Sequence, residues 1–512
     1  MIRYLTRQYF LRSGLLSLGL ALILFAILFA SVHSVLSLSP RMVMNPGDGT
    51  EFLKFSPDSS MFLTARAGTF NNVGPIRVWD VESGGERFAV AQGWKALETI
   101  LFSPDSRILA AHEKEGDLKL WDMRTGEECG GLRPPTEFGN WVNFCFTPDG
   151  QFLAIQDYTP GQEKDFIRFW NIRNNKDVGR IEGHFWSMQI ASNSNTFATY
   201  TRRDHHKVDR VIFWSLPAGE SPRQLKDIPI SADQICFSPD LAMMASANAS
   251  PDPNKPTEMA IWDTATGAKQ FSFDYDEKDT HLQSLSFLAN GKMLVASGGG
   301  GPQLGWNTLT TLWDIASTPE QIGSFSDPPT LSTDGQWLAL PHDNGARLFR
   351  VAAKQQLQQH GNLTARDDKG PSLFGSYKNW TFNSSLRFSP DSRLIAVAGL
   401  YHIAPHPSWH RWLPHQMSSF LDASNGKVVR LWETKTGKER AAFVECRQAF
   451  FSPNGKALVT MHHGGIVRIW DLPLKKPLTT VLGLTVIFWL PIVLIWRAIL
   501  ALKQADSSTT RT

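Results

Sequence analysis

The sequence predicts an all-β fold assembled from one small antiparallel sheet copied many times, and three observations carry that reading. A Ser-Pro-Asp turn between two apolar runs recurs along the chain. A short strand ending in Trp-Asp, or a variant of it, follows each such turn. Within these strands apolar and polar residues alternate, the period of a half-buried strand.

The stretch at 102–122, FSPDSRILAAHEKEGDLKLWD, contains all three. Proline presets φ for the turn and Asp105 can hydrogen-bond its own backbone, so the first two strands fold back on each other. From Leu118 to Trp121 the apolar side chains alternate around Lys119. The unit is therefore a three-stranded antiparallel meander.

The same pattern begins at 55–80 (FSPDSSMFLTA, IRVWD) and returns at 146–171 (FTPDGQFLA, IRFWN) and, worn, at 190–215 (IASNSNTFAT, VIFWS). It continues at 237–263 (FSPD, MAIWD), 287–314 (FLANGKMLVA, TTLWD) and, worn again, 331–350 (LSTDGQWLAL, ARLFR). Copies at 388–433 (FSPDSRLIAV, VRLWE) and 451–471 (FSPNGKALVT, VRIWD) bring the total to nine. Self-similarity at a period of tens of residues outranks a domain count drawn from length.

The paired motifs resemble the WD-repeat family over roughly 42–471. Five copies keep a true Trp-Asp: Trp79-Asp80, Trp121-Asp122, Trp262-Asp263, Trp313-Asp314 and Trp470-Asp471. The family's Gly-His survives only at Gly183-His184, so its supporting hydrogen-bonded tetrad is expected to be mostly missing. The resemblance implies a single β-propeller of eight or nine four-stranded blades, the number turning on the worn fourth and seventh copies. It also implies that the N-terminal segment, here 42–45, gives the last blade its outer strand and removes an exposed edge.

Composition narrows the function classes. With 51 basic and 48 acidic residues the net charge is +3, too small for a nucleic-acid footprint on 512 residues. Eight of the 18 tryptophans (79, 121, 170, 214, 262, 313, 432, 470) end a third strand, which makes them core. The four cysteines are scattered, neither a disulfide framework nor a zinc spacing, and are expected to be buried and unpaired.

Two uncharged runs flank the repeats. The first, 15–32, has 18 residues and would span roughly 27 Å as a helix, close to the ~30 Å hydrocarbon core. Arg3, Arg7 and Arg12 precede it and only Arg41 follows, which favours a cytoplasmic N-terminus; a cleaved signal peptide is the rival reading. The second, 477–496, carries Pro491, tolerable in a membrane helix. The expected organisation is a cytoplasmic tail (1–12), a transmembrane helix or signal anchor (13–38), an extracytoplasmic propeller (41–476), a second transmembrane helix (477–497) and a cytoplasmic tail (498–512). On this reading both anchors leave the tight-turn face.

Function is expected in the variable connections, since loops on a rigid scaffold carry binding residues. The longest lie at 353–381 and 399–427. The second contains Trp409, Trp412 and Phe420, an aromatic partner-binding set, beside His402, His406, His410 and His415. Prolines 405, 407 and 414 break the helix that would gather these imidazoles on a metal, and an ordinary loop packed over the ring is the plainer alternative. The run 298–301 lacks the Gly-Lys-Ser/Thr of a phosphate loop, and no Gly-x-Ser-x-Gly elbow occurs. The leading expectation is a membrane-tethered, non-catalytic scaffold for a protein or peptide, with no catalytic residue, metal or cofactor. The alternative is a hydrolase or a metal- or quinone-dependent oxidoreductase with its site at the central channel.

Overall fold

A computed structural model describes residues 38–474, apart from connecting stretches of which 364–385 and 403–424 are the longest, together with Val486 and Leu490. The chain divides into two compact units, 43–468 and the paired ends 1–42 with 469–512. Among the described residues there are nine four-stranded sheets, and each sequence copy makes one blade. Blades one to eight occupy 50–90, 97–132, 140–183, 187–232, 234–275, 280–325, 330–363 and 386–444. Their strands follow chain order, innermost first. The ninth sheet has the order Met42–Met44, Val467–Asp471, Ala457–His462, Cys446–Phe451. The N-terminal strand thus supplies its outer member, as the resemblance implied. At the paired ends, the Arg41 amide donates to the Ile469 carbonyl at 2.8 Å and its guanidinium pairs with Asp471 at 2.6 Å.

The Ser-Pro-Asp turns form as their chemistry requires, with serine contributing more than the sequence reading gave it. Ser56 donates from Oγ to Asp58 Oδ1 at 2.6 Å and accepts the Met61 amide at 2.9 Å. The same pair of bonds recurs at Ser103, Thr147, Ser238, Ser332, Ser389 and Ser452. These hydroxyl-bearing residues are buried. The fourth and sixth turns, which begin at Ala191 and Leu288, keep the backbone bonds without this side chain.

Neighbouring turns are also stitched together. The Asp58 amide donates to Ser106 Oγ of blade two at 3.0 Å, and the Asp334 amide to Ser392 of blade eight at 3.2 Å. The Asn454 amide of blade nine donates to Ser59 of blade one at 2.9 Å, which closes the ring of blades within 43–468. Ser59, Ser106 and Ser392 all hold positive φ, a local cost that places the hydroxyl under the preceding blade's amide.

The core lies in the seams between blades. Cys145 of blade three packs among Met188, Ile190, Phe197 and Trp214 of blade four, and Cys236 of blade five against Leu285 and Phe287 of blade six. The worn fourth and seventh copies fill their seams like the rest. Phe197 is 1% exposed between Phe169 and Trp214, and Leu338 and Leu348 are fully buried. In the fourth copy hydrophobic packing therefore preserves a blade after its turn motif has drifted, whereas the seventh also keeps its Ser332–Asp334 turn.

The expected membrane placement is corrected. Among the described residues no helix is long and apolar enough to cross a membrane, so a propeller flanked by two transmembrane helices, with both tails cytoplasmic, is not supported. Apolar length favours transfer into lipid but does not itself establish a spanning helix. The chain described here satisfies its backbone by strand pairing. The runs 15–32 and 477–496 lie outside the described residues except for Val486 and Leu490, both helical and exposed. One further expectation holds only in part: Cys446 is buried, Cys145 and Cys236 are half-buried, and Cys129 is exposed.

Candidate functional site

The two ends of the blades differ in construction. Every first-to-second strand turn has five residues, from 56–60 in blade one to 452–456 in blade nine. The turn after the third strand lies at the same end. Its first amide bonds back to the first turn, as Val81 to Ser60 at 2.9 Å, Met123 to Arg107 at 2.8 Å and Thr434 to Arg393 at 2.9 Å. Connections between second and third strands, at the opposite end, run from two residues (343–344) in blade seven to twenty-two (403–424) in blade eight. Blade eight shows this best: its middle strands pair from Leu394↔Glu433 at the turn end to His402↔Asn425, and the chain leaves from there into 403–424. Trp409, Trp412 and Phe420 lie in that stretch, outside the described residues, as do His406, His410 and His415. His402 ends the strand before it.

The strand-ending tryptophans form a second set. Trp79, Trp121, Trp313, Trp432 and Trp470 are buried, whereas Trp170, Trp214 and Trp262 are half-buried. A buried indole N–H needs an acceptor, and the second strand supplies one where it carries a hydroxyl. Trp79 donates to Thr64 at 2.8 Å, Trp214 to Thr199 at 2.9 Å and Trp262 to Ser246 at 2.9 Å. In blades six and eight the equivalent positions are Ala296 and Val397, and the N–H groups of Trp313 and Trp432 have no acceptor. In blades one, four and five the strand-ending tryptophan is therefore held by this single bond.

Between blades four and five lies a cleft of about 390 Å³. Pro229, Ile230 and Ser231 of blade four's outer strand form one wall. Ser246, Asn248, Glu258, Ala260, Trp262 and Lys269 of blade five form the rest. Lys269 Nζ sits 3.0 Å from Glu258 Oε1 and 5.4 Å from the centre of the Trp262 ring. The Ser272 hydroxyl donates to the same Oε1 at 2.7 Å, and this bond, then that of Lys269, holds the Glu258 carboxyl below its ordinary value. Of these cleft residues, Trp262 was read from sequence as core. The available signal was Ala260, an alanine where six sibling repeats carry a long base.

Chemically reactive groups are quiet. Burial pushes the thiols of Cys145 and Cys446 up to about 12 and raises that of Cys236 further, so all three stay protonated at neutral pH. Burial, followed by the nearby Arg468 charge, pulls His462 down to about 4 and keeps its ring neutral. Its Nε2 lies 2.9 Å from the Thr460 hydroxyl.

No family model matches the chain. Among curated proteins, telomerase protein component 1 of Rattus norvegicus is 24% identical over 493 residues, covering 83% of this chain and 17% of the relative. Apoptotic protease-activating factor 1 of Homo sapiens is 24% identical over 164 residues, 31% of this chain and 11% of the relative. The chain thus spans less than a fifth of the length of these relatives. Among solved structures, a crystal structure of the eukaryotic initiation factor aligns at a TM-score of 0.49 and 15% identity, covering 79% of this chain and 90% of that one. Nine repeat copies, nine four-stranded blades and an outer strand lent by the N-terminal segment converge with these sequence relatives: the chain is a WD-repeat β-propeller.

Proposed function

We propose that this propeller is a non-catalytic scaffold that binds a protein or peptide through the connections opposite its tight turns. The 403–424 insertion, with Trp409, Trp412 and Phe420, is its principal contact. The observation that carries the reading is the contrast between ends: first turns of five residues in every blade and second turns of four to seven at one, widely varying connections at the other. A rigid ring presenting variable loops is the usual arrangement of a recognition surface. Aromatic side chains in such a loop supply large contact area for little lost entropy. The names of the sequence relatives, a telomerase protein component and a protease-activating factor, fit a protein that acts through others.

The test replaces 403–424 by a short Gly-Ser link, leaving the His402↔Asn425 pairing intact. The variant is expected to keep the parent's unfolding midpoint and to lose most of its crosslinked partners. A partner set identical to the parent's would refute the assignment of this loop.

A further inference from the structure

The repeats serve as internal controls for the cleft at blade five. In six blades the residue two positions before the strand-ending aromatic is a long base: Arg77, Lys119, Arg168, Arg347, Arg430 and Arg468. In the first three it pairs with an acid on the fourth strand: Arg77 with Glu86 at 2.6 Å, Lys119 with Glu128 at 2.9 Å, Arg168 with Asp177 at 3.6 Å. A long aliphatic stem and a paired head thus lie on the sheet face beside the ring.

Blade five departs at both positions. The base is replaced by Ala260, and the fourth-strand residue opposite Trp262 is Lys269 in place of an acid. The acid has moved to Glu258, two residues back along the third strand. Space that a base fills in the sibling blades is here part of the open cleft.

We propose that this cleft receives an arginine side chain from an extended segment of a protein partner. The sibling blades define the occupant, because six of them supply from their own chain the kind of side chain that blade five lacks, while blades four and six carry Ile212 and Thr311 there. The charge balance favours it. Asp274, exposed, stands directly opposite Glu258 across the strands, and opposed residues share a face, so two carboxylates meet one ammonium. Glu258 Oε1 takes both the Ser272 and Lys269 bonds, which leaves Oε2 for an incoming donor. The flat Trp262 ring already carries a cation above it, and a guanidinium stacks there better than an ammonium. Lys269, 41% exposed, can turn to solvent as the guanidinium enters. Pro229 and Ile230 offer an apolar wall to the stem. The site is built from strands of blades four and five, so its failure and that of the loop-end reading are separable.

The test uses the full chain and fluorescein-labelled nonapeptides of Gly and Ser with one central Arg, Lys or Asp, followed by anisotropy. The Arg peptide is expected to bind saturably at roughly 0.1–1 mM, the Lys peptide more weakly and the Asp peptide not at all. E258Q should weaken the Arg peptide about tenfold, the loss of one charge-assisted contact. The double variant A260R/K269E rebuilds the sibling arrangement; it should keep the parent's unfolding midpoint and abolish binding. Equal binding of the Asp peptide, no saturation with several hundred micromolar protein, or full affinity in A260R/K269E would each overturn the proposal.

Discussion

The turn end and the loop end of this propeller are made of the same strands and obey different rules. At the turn end, every first turn has five residues, a buried hydroxyl fixes most of them, and amides bond from one blade to the next. At the loop end, the strands stop pairing at different heights and the connections vary in length and composition. Structural constraint sits at one end and leaves the other free to vary, which separates stability from recognition within one repeat.

The strongest test of that division is at Gly126, in the turn after blade two's third strand. It has φ +77°, and a Cβ there would stand 2.5 Å from Cγ of Phe88 in blade one. Gly126→Ala should lower the unfolding free energy by about 2–4 kcal/mol, from left-handed strain plus a clash with a ring. Replacing 403–424 should cost far less. A similar cost for both in urea unfolding would erase the distinction between the ends.

A smaller effect compares joints within the turn end. Ser59→Ala removes the bond between blades nine and one, and Ser106→Ala the equivalent bond between blades one and two. Each should cost about 1 kcal/mol, read as an unfolding midpoint. A much larger loss for Ser59 would show that the closing joint carries a special burden.

The smallest expected change is a gain. Val397→Thr and Ala296→Ser place hydroxyls where Thr64 and Thr199 already receive an indole N–H. Each should satisfy a buried orphan, Trp432 or Trp313, and add about 0.5–1.5 kcal/mol. Thermal unfolding measures it, and a loss of stability in both variants would mean that the seam has no room for the oxygen.

Much of the fold was legible because its turns carry their own chemistry. Ser56, Pro57 and Asp58 announce a tight turn wherever the triplet recurs, and Trp79-Asp80 marks the strand that follows. Outer strands were less legible: Glu86–Val90 and Arg223–Ala232 share no motif, since an edge strand needs pairing more than a particular side chain. The worn copy at 190–215 kept its place through buried Phe197, a signal of volume and not of motif, whereas that at 331–350 pairs buried Leu338 with an intact Ser332–Asp334 turn. The cleft was hidden for a different reason. Ala260 carries no chemistry of its own, and its meaning appears only when the sibling bases are set beside it. Trp409, Trp412 and Phe420 lie outside the described residues and stand on the sequence alone.

The bond from Asn454 to Ser59 is of the same type as the one from Asp58 to Ser106, although one joins residues far apart in the chain and the other adjacent repeats. At that rim, among the described residues, the joint that closes the ring carries the same hydrogen bond as the joint between the first two blades. A toroid stitched in this way is indifferent to its starting point, and evolution could add or drop a repeat at any joint while mending the circle with a single serine.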